Sequence, residues 1–444
     1  MKKDSLWVML YFAGVGLWLF VIATSFVLIN PNLLLDQKLD LSVPILILIG
    51  FYLFYFFMSM FLYVVYLVKA GKLERDQLIK MKSRSSYDNG DNLCSIIIPA
   101  RNEESVIKNT VKSCLKQTFR NIEVIIVCHN SNDRTFEQAH VDDDRVKVFD
   151  LKTKESGKSI ALNYGVEHAN GKYILIVDAD GFMSEDFIES ALPMFSNGCA
   201  AVQGRIRPGN RNYNFVTKML SIEDDLWVAP SLTVRQVFGN RCPLGGTGFI
   251  IRKDILAKVG MFKNHLVDDA ELTIRLFREK YKISYAPLSL VYGEEPPAID
   301  IMIRQRARWA RGFLSLLSHR MAYPLDIIGS IFWLLPIATY SGLGIFFIIA
   351  YASLHLLLLG YVPYGFYYLP IKIWFLFMGL NFVLSMLVLI KQHGLRGIKY
   401  ALYFPIYLVF SQYSLATHTR AIFIKSWGTT KTMHGFRQKT KKVS

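Results

Sequence analysis

Two runs without a charged side chain, Leu6 to Ile29 and Leu41 to Val68, constrain this chain before anything else does. Each exceeds the ~20 residues an α-helix needs to cross a ~30 Å hydrocarbon layer, where the helix must satisfy its own backbone polar groups. The first run follows Met1-Lys2-Lys3. It is longer than the roughly 7–15 apolar residues of a secretory signal and no small-x-small cleavage pattern follows, so it reads as a retained anchor. Apolar residues make up 52% of the chain and charged residues 19%, with mean hydropathy +0.27, which exceeds the balance of ordinary soluble domains. Three more apolar stretches, 327–360, 364–390 and 398–424, come late. Pro405 and Arg420 suit the last to an interfacial or re-entrant segment, which gives four spans and leaves a fifth open.

Charge placement orients these segments. Lys69, Lys72, Arg75, Lys80, Lys82 and Arg84 follow the second run, whereas residues 30–40 hold only Lys38 against Asp36 and Asp40. The positive-inside tendency then puts residues 1–5 inside, 30–40 outside and the chain from Lys69 inside, in the cytosol at a plasma or inner membrane. The net charge is +16, and after Asp326 there are eleven Lys/Arg and no Asp or Glu, ending in "FRQKTKK". An acid-free basic stretch beside apolar spans points to membrane lipids as partners, with no nucleic acid. Cys94, Cys114, Cys128, Cys199 and Cys242 are scattered and odd in number. They suit reduced cytosolic thiols and give no disulfide or metal framework.

Between the apolar ends the periodicity changes. "SRSSYDNGDN" (83–92) reads as a linker. After it come short β-branched runs, "CSIIIPA", "IEVIIVC", "RVKVFDL" and "YILIVDA", alternating with helical spacing such as "ESVIKNTVKSCLKQ" and "SIALNYGVEHA". That alternation predicts an α/β domain with a parallel sheet covered on both faces, and ligands beyond the carboxyl ends of its strands. Attention falls on "PARNE", "CHNSND" and "DADG".

Five stretches carry chemistry. In "VDADG", Asp178 and Asp180 at a strand end could hold Mg²⁺ or Mn²⁺ with substrate phosphates, or simply form a turn. In "ESGKSIALN", Gly157-Lys158-Ser159 suggests a phosphate-binding P-loop, but Lys152 stands where that pattern needs a glycine, so the ATPase reading falls away. Lys158 could still meet a diphosphate as a point charge, or be a solvated helix residue. Asp268 and Asp269 of "VDDAELTIRL" open an amphipathic helix, as N-caps or as a general base for an incoming hydroxyl. "LGGTGF", Leu244 to Phe249, allows a close backbone approach to a ligand or marks a tight turn. "IRQRARWARGF", 303–313, offers forked arginine donors for a diphosphate and a tryptophan plate for a sugar ring, or a basic helix anchored at a membrane surface.

In chain order these stretches are "SIIIPARNEE", "GKSIALN", "DAD", "GGTGF", "DDAELTIRL" and "QRARW". The series resembles the inverting family 2 glycosyltransferases, in their membrane-integrated branch with cellulose, chitin and hyaluronan synthases. Roughly residues 92–313 are covered, with "SWGTTK" (Ser426–Lys431) also in keeping. Gln305-Arg306-Ala307-Arg308-Trp309 fits the family's Q-x-x-R-W signature, the most specific of the set. The resemblance implies a Rossmann-like GT-A domain on an α-helical transmembrane bundle. It assigns the nucleotide-sugar to Pro99, Arg101, Glu103, His129, Asp133, Lys158, Asp178, Gln305 and Arg308. Asp180 would take the metal, Mg²⁺ or Mn²⁺, and Asp269 would be the base. Gly246, Thr247, Asp268 and Trp309 would meet the acceptor. Two departures stand out. His129 occupies the place where the family commonly has an aspartate for uracil, with Asp133 four residues later, and "VDD" replaces "TED".

The implied activity is transfer of a sugar from a UDP-sugar to the non-reducing end of a growing β-linked glycan, with coupled translocation. A non-processive enzyme adding one sugar to a lipid is the alternative, and a transporter or scaffold with a dead transferase domain is a more distant one. The expected organisation is two spans over 1–70, a basic linker over 71–91 and the catalytic domain over 92–312. An amphipathic interface helix over 313–326, transmembrane or interfacial helices over 327–424 and a basic tail over 425–444 follow. So few spans make a narrow bundle, so a channel would call for a second copy or a partner.

Overall fold

The computed structural model describes residues 42–83, 92–321 and 364–410, together with 417, 420 and 421. The expected spans over Leu6–Ile29 and 327–360, most of 411–424, and the tail with its Ser426–Lys431 stretch lie outside the described residues. Two units emerge from the contacts: Val65–Gln305 forms the core of one, and Met1–Val64 with Arg306–Ile424 forms the other.

The first unit is built on an eight-stranded sheet of order β3-β2-β1-β4-β7-β6-β8-β5. The strands are β1 (Cys94–Ala100), β2 (Ile122–His129), β3 (Val146–Leu151), β4 (Tyr173–Ile176), β5 (Phe182–Met183), β6 (Ala201–Pro208), β7 (Phe249–Arg252) and β8 (Ile283–Gly293). β3, β2, β1 and β4 run parallel, as the alternating pattern predicts. Beyond them the expectation of a parallel sheet fails, because β7 is antiparallel to both β4 and β6, and β5 is antiparallel to β8. A four-residue apolar strand such as "FIIR" carries no directional signal, since its side chains alternate identically either way.

Both faces are covered, which explains why β1, β2 and β4 are buried almost throughout. Ile96 and Ile98 point to one core with Ile107, Val111 and Cys114 of α2 (Ile107–Leu115). Ile97 points to the other with Ala161, Leu162 and Val166 of α4 (Lys158–Glu167). A Cβ on Gly165 would lie 2.6 Å from Ile97 Cγ2, so α4 lies close against β1. Short helices α3 (Thr135–Ala139), α5 (Phe187–Ala191) and α8 (Lys253–Lys258) fill the connections. From Phe215 to Val237 one helical rod combines α6 (Phe215–Glu223), a π-helical turn (Asp224–Val228) and α7 (Ala229–Val237). Helix α9 (Asp268–Arg278) precedes β8.

Helix α1 is continuous over Ser42–Lys82, so the apolar run and most of the expected basic linker form one element. Helix α10 (Ile299–Met321) likewise runs unbroken through the boundary expected at 312/313. In the second unit, α11 (Tyr364–His393), α12 (Arg396–Ala401) and α13 (Phe404–Phe410) follow. Asn381 of α11 donates its side-chain amide to Ser59 Oγ of α1, both buried. Among the described residues, which place side chains of α1 only from Ser59 onward, no helix is long and apolar enough to cross a membrane.

Candidate active site

Strand β4 ends where Val177 N–H donates to Ile97 O, and the chain turns sharply through Asp178-Ala179-Asp180-Gly181. Gly181 N–H closes that turn on Asp178 O at 2.8 Å. A Cβ at Gly181 would sit 2.9 Å from the same oxygen, so glycine is required there. Asp178 and Asp180 are half-buried at the strand end.

Lys158, the first residue of α4, reaches this turn. Its Nζ donates to Asp178 Oδ1 at 2.5 Å and to Gly246 O at 2.7 Å, with its side chain 17% exposed. Burial alone would lower its proton affinity, but Asp178, Asp268 and Asp269 outweigh it and raise the pKa. Lys158 is therefore a fixed cation shared by three carboxylates, not a solvated helix residue.

The "GGTGF" turn is clamped from several sides. Gly245 N–H donates to Gln203 Oε1 at 2.7 Å, Leu244 N–H to Thr273 Oγ1 at 2.9 Å, and Asp178 N–H to Thr247 Oγ1 at 3.0 Å. The absent side chain of Gly246 faces the site: a Cβ there would be 3.7 Å from both Asp269 Oδ2 and Lys158 Nζ. Asp178, Lys158, Gly246, Thr247 and Asp269 thus converge.

Asp268 and Asp269 lie in the first turn of α9, while the N-cap is Val267 and makes no side-chain cap. The N-cap reading of these aspartates is not what the structure shows. Asp269 Oδ1 accepts from Ala270 N–H at 2.7 Å. Burial, then the neighbouring Asp268, push its pKa up to about 7, against the lowering effects of Ala270 N–H and Lys158. A carboxylate with that proton affinity suits removal of a proton near neutral pH.

The loops after β1 and β2 are knitted together. Asn102 N–H donates to Ser131 Oγ at 3.2 Å, Asn132 N–H to Asn102 Oδ1 at 2.9 Å, and Glu103 N–H to Thr135 Oγ1 at 2.7 Å. Asn102 and Asn130 take left-handed φ values of 57° and 51°, which asparagine tolerates. Pro99 lies one residue before the end of β1 and Arg101 is exposed beyond it. Asp133 accepts from Thr135 N–H at 3.0 Å and Glu104 N–H at 3.3 Å. Partial burial would raise its pKa, but these hydrogen bonds win and lower it. His129 is buried and shares a 2.8 Å hydrogen bond between Nε2 and Thr153 Oγ1. Burial, then Arg101, lower its pKa against the raising effect of the Gly157 backbone. His129 thereby braces the loop that delivers Lys158.

Gln305 lies on α10, its Oε1 buried without a hydrogen-bond partner. Arg308 and Trp309 belong to the second unit, where the Arg306 guanidinium stacks 4.6 Å from the Trp309 ring centroid. Sequence reasoning passed over Gln203 and the charged cluster at the π-helical turn. There Asp225 is fully buried, with Arg211 Nη1 at 2.7 Å and Arg205 and Arg207 near 4 Å. The signal was present: a glutamine inside "AVQGRIRP", and two acids in an otherwise buried helix.

Among the described residues no group of three or more His, Cys, Asp or Glu could hold a metal ion. Mg²⁺ or Mn²⁺ commonly takes one or two carboxylates and completes its shell with phosphates and water, and the hard oxygens of Asp178 and Asp180 fit that pattern. Asp178 is also held by Lys158.

Comparisons with known proteins bear on the family and the fold. Residues 95–260 match the family model described as Glycosyl transferase family 2. A probable glycosyltransferase, YdaM, of Bacillus subtilis (strain 168) is 33% identical over 232 residues, covering 49% of this chain and 54% of the relative. A beta-monoglucosyldiacylglycerol synthase of Nostoc sp. is 31% identical, covering 49% and 48%. A poly-beta-1,6-N-acetyl-D-glucosamine synthase of Staphylococcus aureus is 25% identical, covering 56% and 64%. The chain spans about half the length of the first two relatives. In fold it is similar to the mannosyltransferase PcManGT from Pyrobaculum calidifontis, solved with GDP-Man and Mn²⁺. That likeness has a TM-score of 0.56 at 16% identity and covers 82% of this chain and 100% of the other. Residues 95–260 thus match a glycosyltransferase family 2 domain, and the fold around them is the Rossmann-like α/β GT-A fold.

Proposed function

We propose that the chain is a membrane-bound inverting glycosyltransferase that moves a sugar from a UDP-sugar to a hydroxyl of a growing β-linked glycan. One observation carries the reading: Asp269 Oδ2 and Lys158 Nζ flank the open face of Gly246, and the same lysine grips Asp178. A base and a fixed cation are what displacement of a nucleoside diphosphate by an alcohol requires.

The donor's diphosphate would lie toward Lys158, Asp178 and Asp180. A divalent cation at Asp180 would neutralise charge on the departing diphosphate. Asp269 would take the proton of the acceptor hydroxyl as its oxygen attacks the anomeric carbon. The new C–O bond forms on the face opposite the breaking one, so an α-linked donor yields a β-linkage. Lys158 would stabilise the leaving diphosphate as a preorganised charge in a partly dry site. Gln305, Arg308 and Trp309 take their proposed roles, toward diphosphate and acceptor, from the Q-x-x-R-W resemblance.

Asp269→Asn should retain nucleotide binding while transfer falls by ~10²–10⁴-fold, the usual contribution of a general base. Turnover within about tenfold of the parent would remove Asp269 from that role. Addition of one sugar to a lipid is the second reading, favoured by the higher identity to the diacylglycerol-sugar synthase than to the polymer synthase. Membranes supplied with Mn²⁺ and UDP-glucose, UDP-N-acetylglucosamine, UDP-glucuronate or GDP-mannose separate the two by product length. A scaffold with a dead domain predicts no nucleotide release from any of them, although Asp178, Lys158 and Asp269 stand together.

A further inference from the structure

Strand β8 changes register against β6 in mid-course. Gly204 pairs with Ala286, but Arg205 pairs with Leu290, leaving residues 287–289 as an outward bulge. An extra loop inside a sheet leaves backbone groups unpaired unless something else binds them. Here that partner comes from outside the sheet. Gln77 of α1 is 0% exposed; its Oε1 accepts from Leu288 N–H at 3.0 Å. Its Nε2 donates to Ser190 O at 2.9 Å and to Ser289 Oγ at 3.2 Å. Ser190 Oγ and Ser289 Oγ lie 2.7 Å apart, so one glutamine, two serines and the bulge form a single buried knot.

Immediately past the bulge, β8 holds two parts of the site. Val291 and Tyr292 pair with Met183 and Phe182 of β5, the direct continuation of the Asp178–Gly181 turn. Val291 also supports Gly248, where a Cβ would lie 2.3 Å from Val291 Cγ1. On the other side of the bulge, Ser289 O would stand 2.7 Å from a Cβ on Gly204. Gly204 N–H donates to Gly248 O at 2.9 Å, and Gly248 N–H to Ile176 O at 2.8 Å. The path from Gln77 to the turn that presents Gly246 and Thr247 therefore runs through contiguous packed atoms and hydrogen bonds.

We propose that Gln77 is a positioning residue for the sugar-transfer site: by fixing the β8 bulge it sets the height of the Gly245–Gly248 turn and of the Asp178–Gly181 turn together. The inference rests on the transferase reading of that site. The loops after β1 and β2 sit on strands that do not pair with β8, so donor contacts made by those loops are independent of the knot, whereas diphosphate contacts at the Asp178–Gly181 turn are not.

The experiment uses the full chain in membranes, with Gln77→Leu, Gln77→Glu and Ser289→Ala. Hydrogen–deuterium exchange is followed at residues 203–206 and 245–250, and steady-state kinetics are measured with Mn²⁺ and whichever donor of the UDP-sugar and GDP-mannose panel the parent turns over. Gln77→Leu should speed exchange at Gly204 and Gly248 and lower kcat about tenfold, as misplaced catalytic geometry does, with a smaller rise in donor KM through the Asp178–Gly181 turn. Gln77→Glu keeps the acceptor for Leu288 and should fall between. Ser289→Ala is the milder change should Gln77→Leu not fold. Exchange rising only at 284–290, with kcat unchanged, would reduce Gln77 to a structural clasp and overturn the inference. Faster exchange at Gly248 in a protein whose parent turns over no donor would uphold the relay and sink the transferase reading instead.

Discussion

At the residue scale the site is a problem in charge. Asp178, Asp268 and Asp269 share one lysine, and the geometry makes Asp269 the carboxylate that gives way. Because Asp269 works only when ionised, the rate of transfer should climb with pH through about 7 and level off above it. Lys158→Met removes the charge that favours ionisation, so the rising limb of a kcat–pH profile should move to higher pH; an unmoved limb would mean that Lys158 does not act on Asp269. Stability should run the opposite way. Asp269 and Asp224 are both pushed up to about 7, by burial first and then by Asp268 and Asp225 respectively. An unfolded aspartate ionises near ~3.9, so between roughly pH 4 and 7 the folded chain holds more protons and loses stability as pH rises. Melting temperatures across that range check the sign. None of this was readable from "VDDAEL", because a string of letters does not say which of two adjacent acids turns toward a lysine 110 or 111 positions away.

At the element scale, strand identity was legible and strand direction was not. The runs that became β1 to β4 announce themselves by β-branched residues between turns, and α2 and α4 by their spacing. The π-helical turn, the β8 bulge and the insertion of β7 between β4 and β6 depend on contacts between residues far apart in sequence, which local pattern does not encode. Two substitutions probe these elements. Gly248→Ala combines a left-handed φ of 66° with a Val291 contact of 2.3 Å. It should cost at least about 2 kcal/mol, seen as a lower denaturation midpoint, and a neutral result would contradict the close fit of β8 beneath the turn. Asp225→Asn removes the buried carboxylate that lies 2.7 Å from Arg211 and near 4 Å from Arg205 and Arg207. The expected loss is about 3–5 kcal/mol, because one half of a buried ion pair is costly to leave behind.

For the molecule as a whole, composition spoke most plainly about the ends and the motifs about the middle. The proposed membrane attachment predicts that alkaline carbonate leaves the protein in the membrane pellet while detergent releases it; release by carbonate alone would restrict the contact to the surface. The motifs named the enzyme class because glycine turns and paired acids at strand ends leave a trace in sequence. The bracing that holds them (Gln77, Gln203, Thr273) leaves almost none, since a buried amide can be supplied from any element that passes nearby. One earlier feature bears on how such an enzyme could diversify. The loops following β1 and β2 are cross-stitched through Asn102, Ser131, Asn132 and Thr135, with two asparagines in left-handed conformation. Lengthening or shortening either loop would unpick the seam, so change in this region is confined to exchanging side chains on a fixed scaffold.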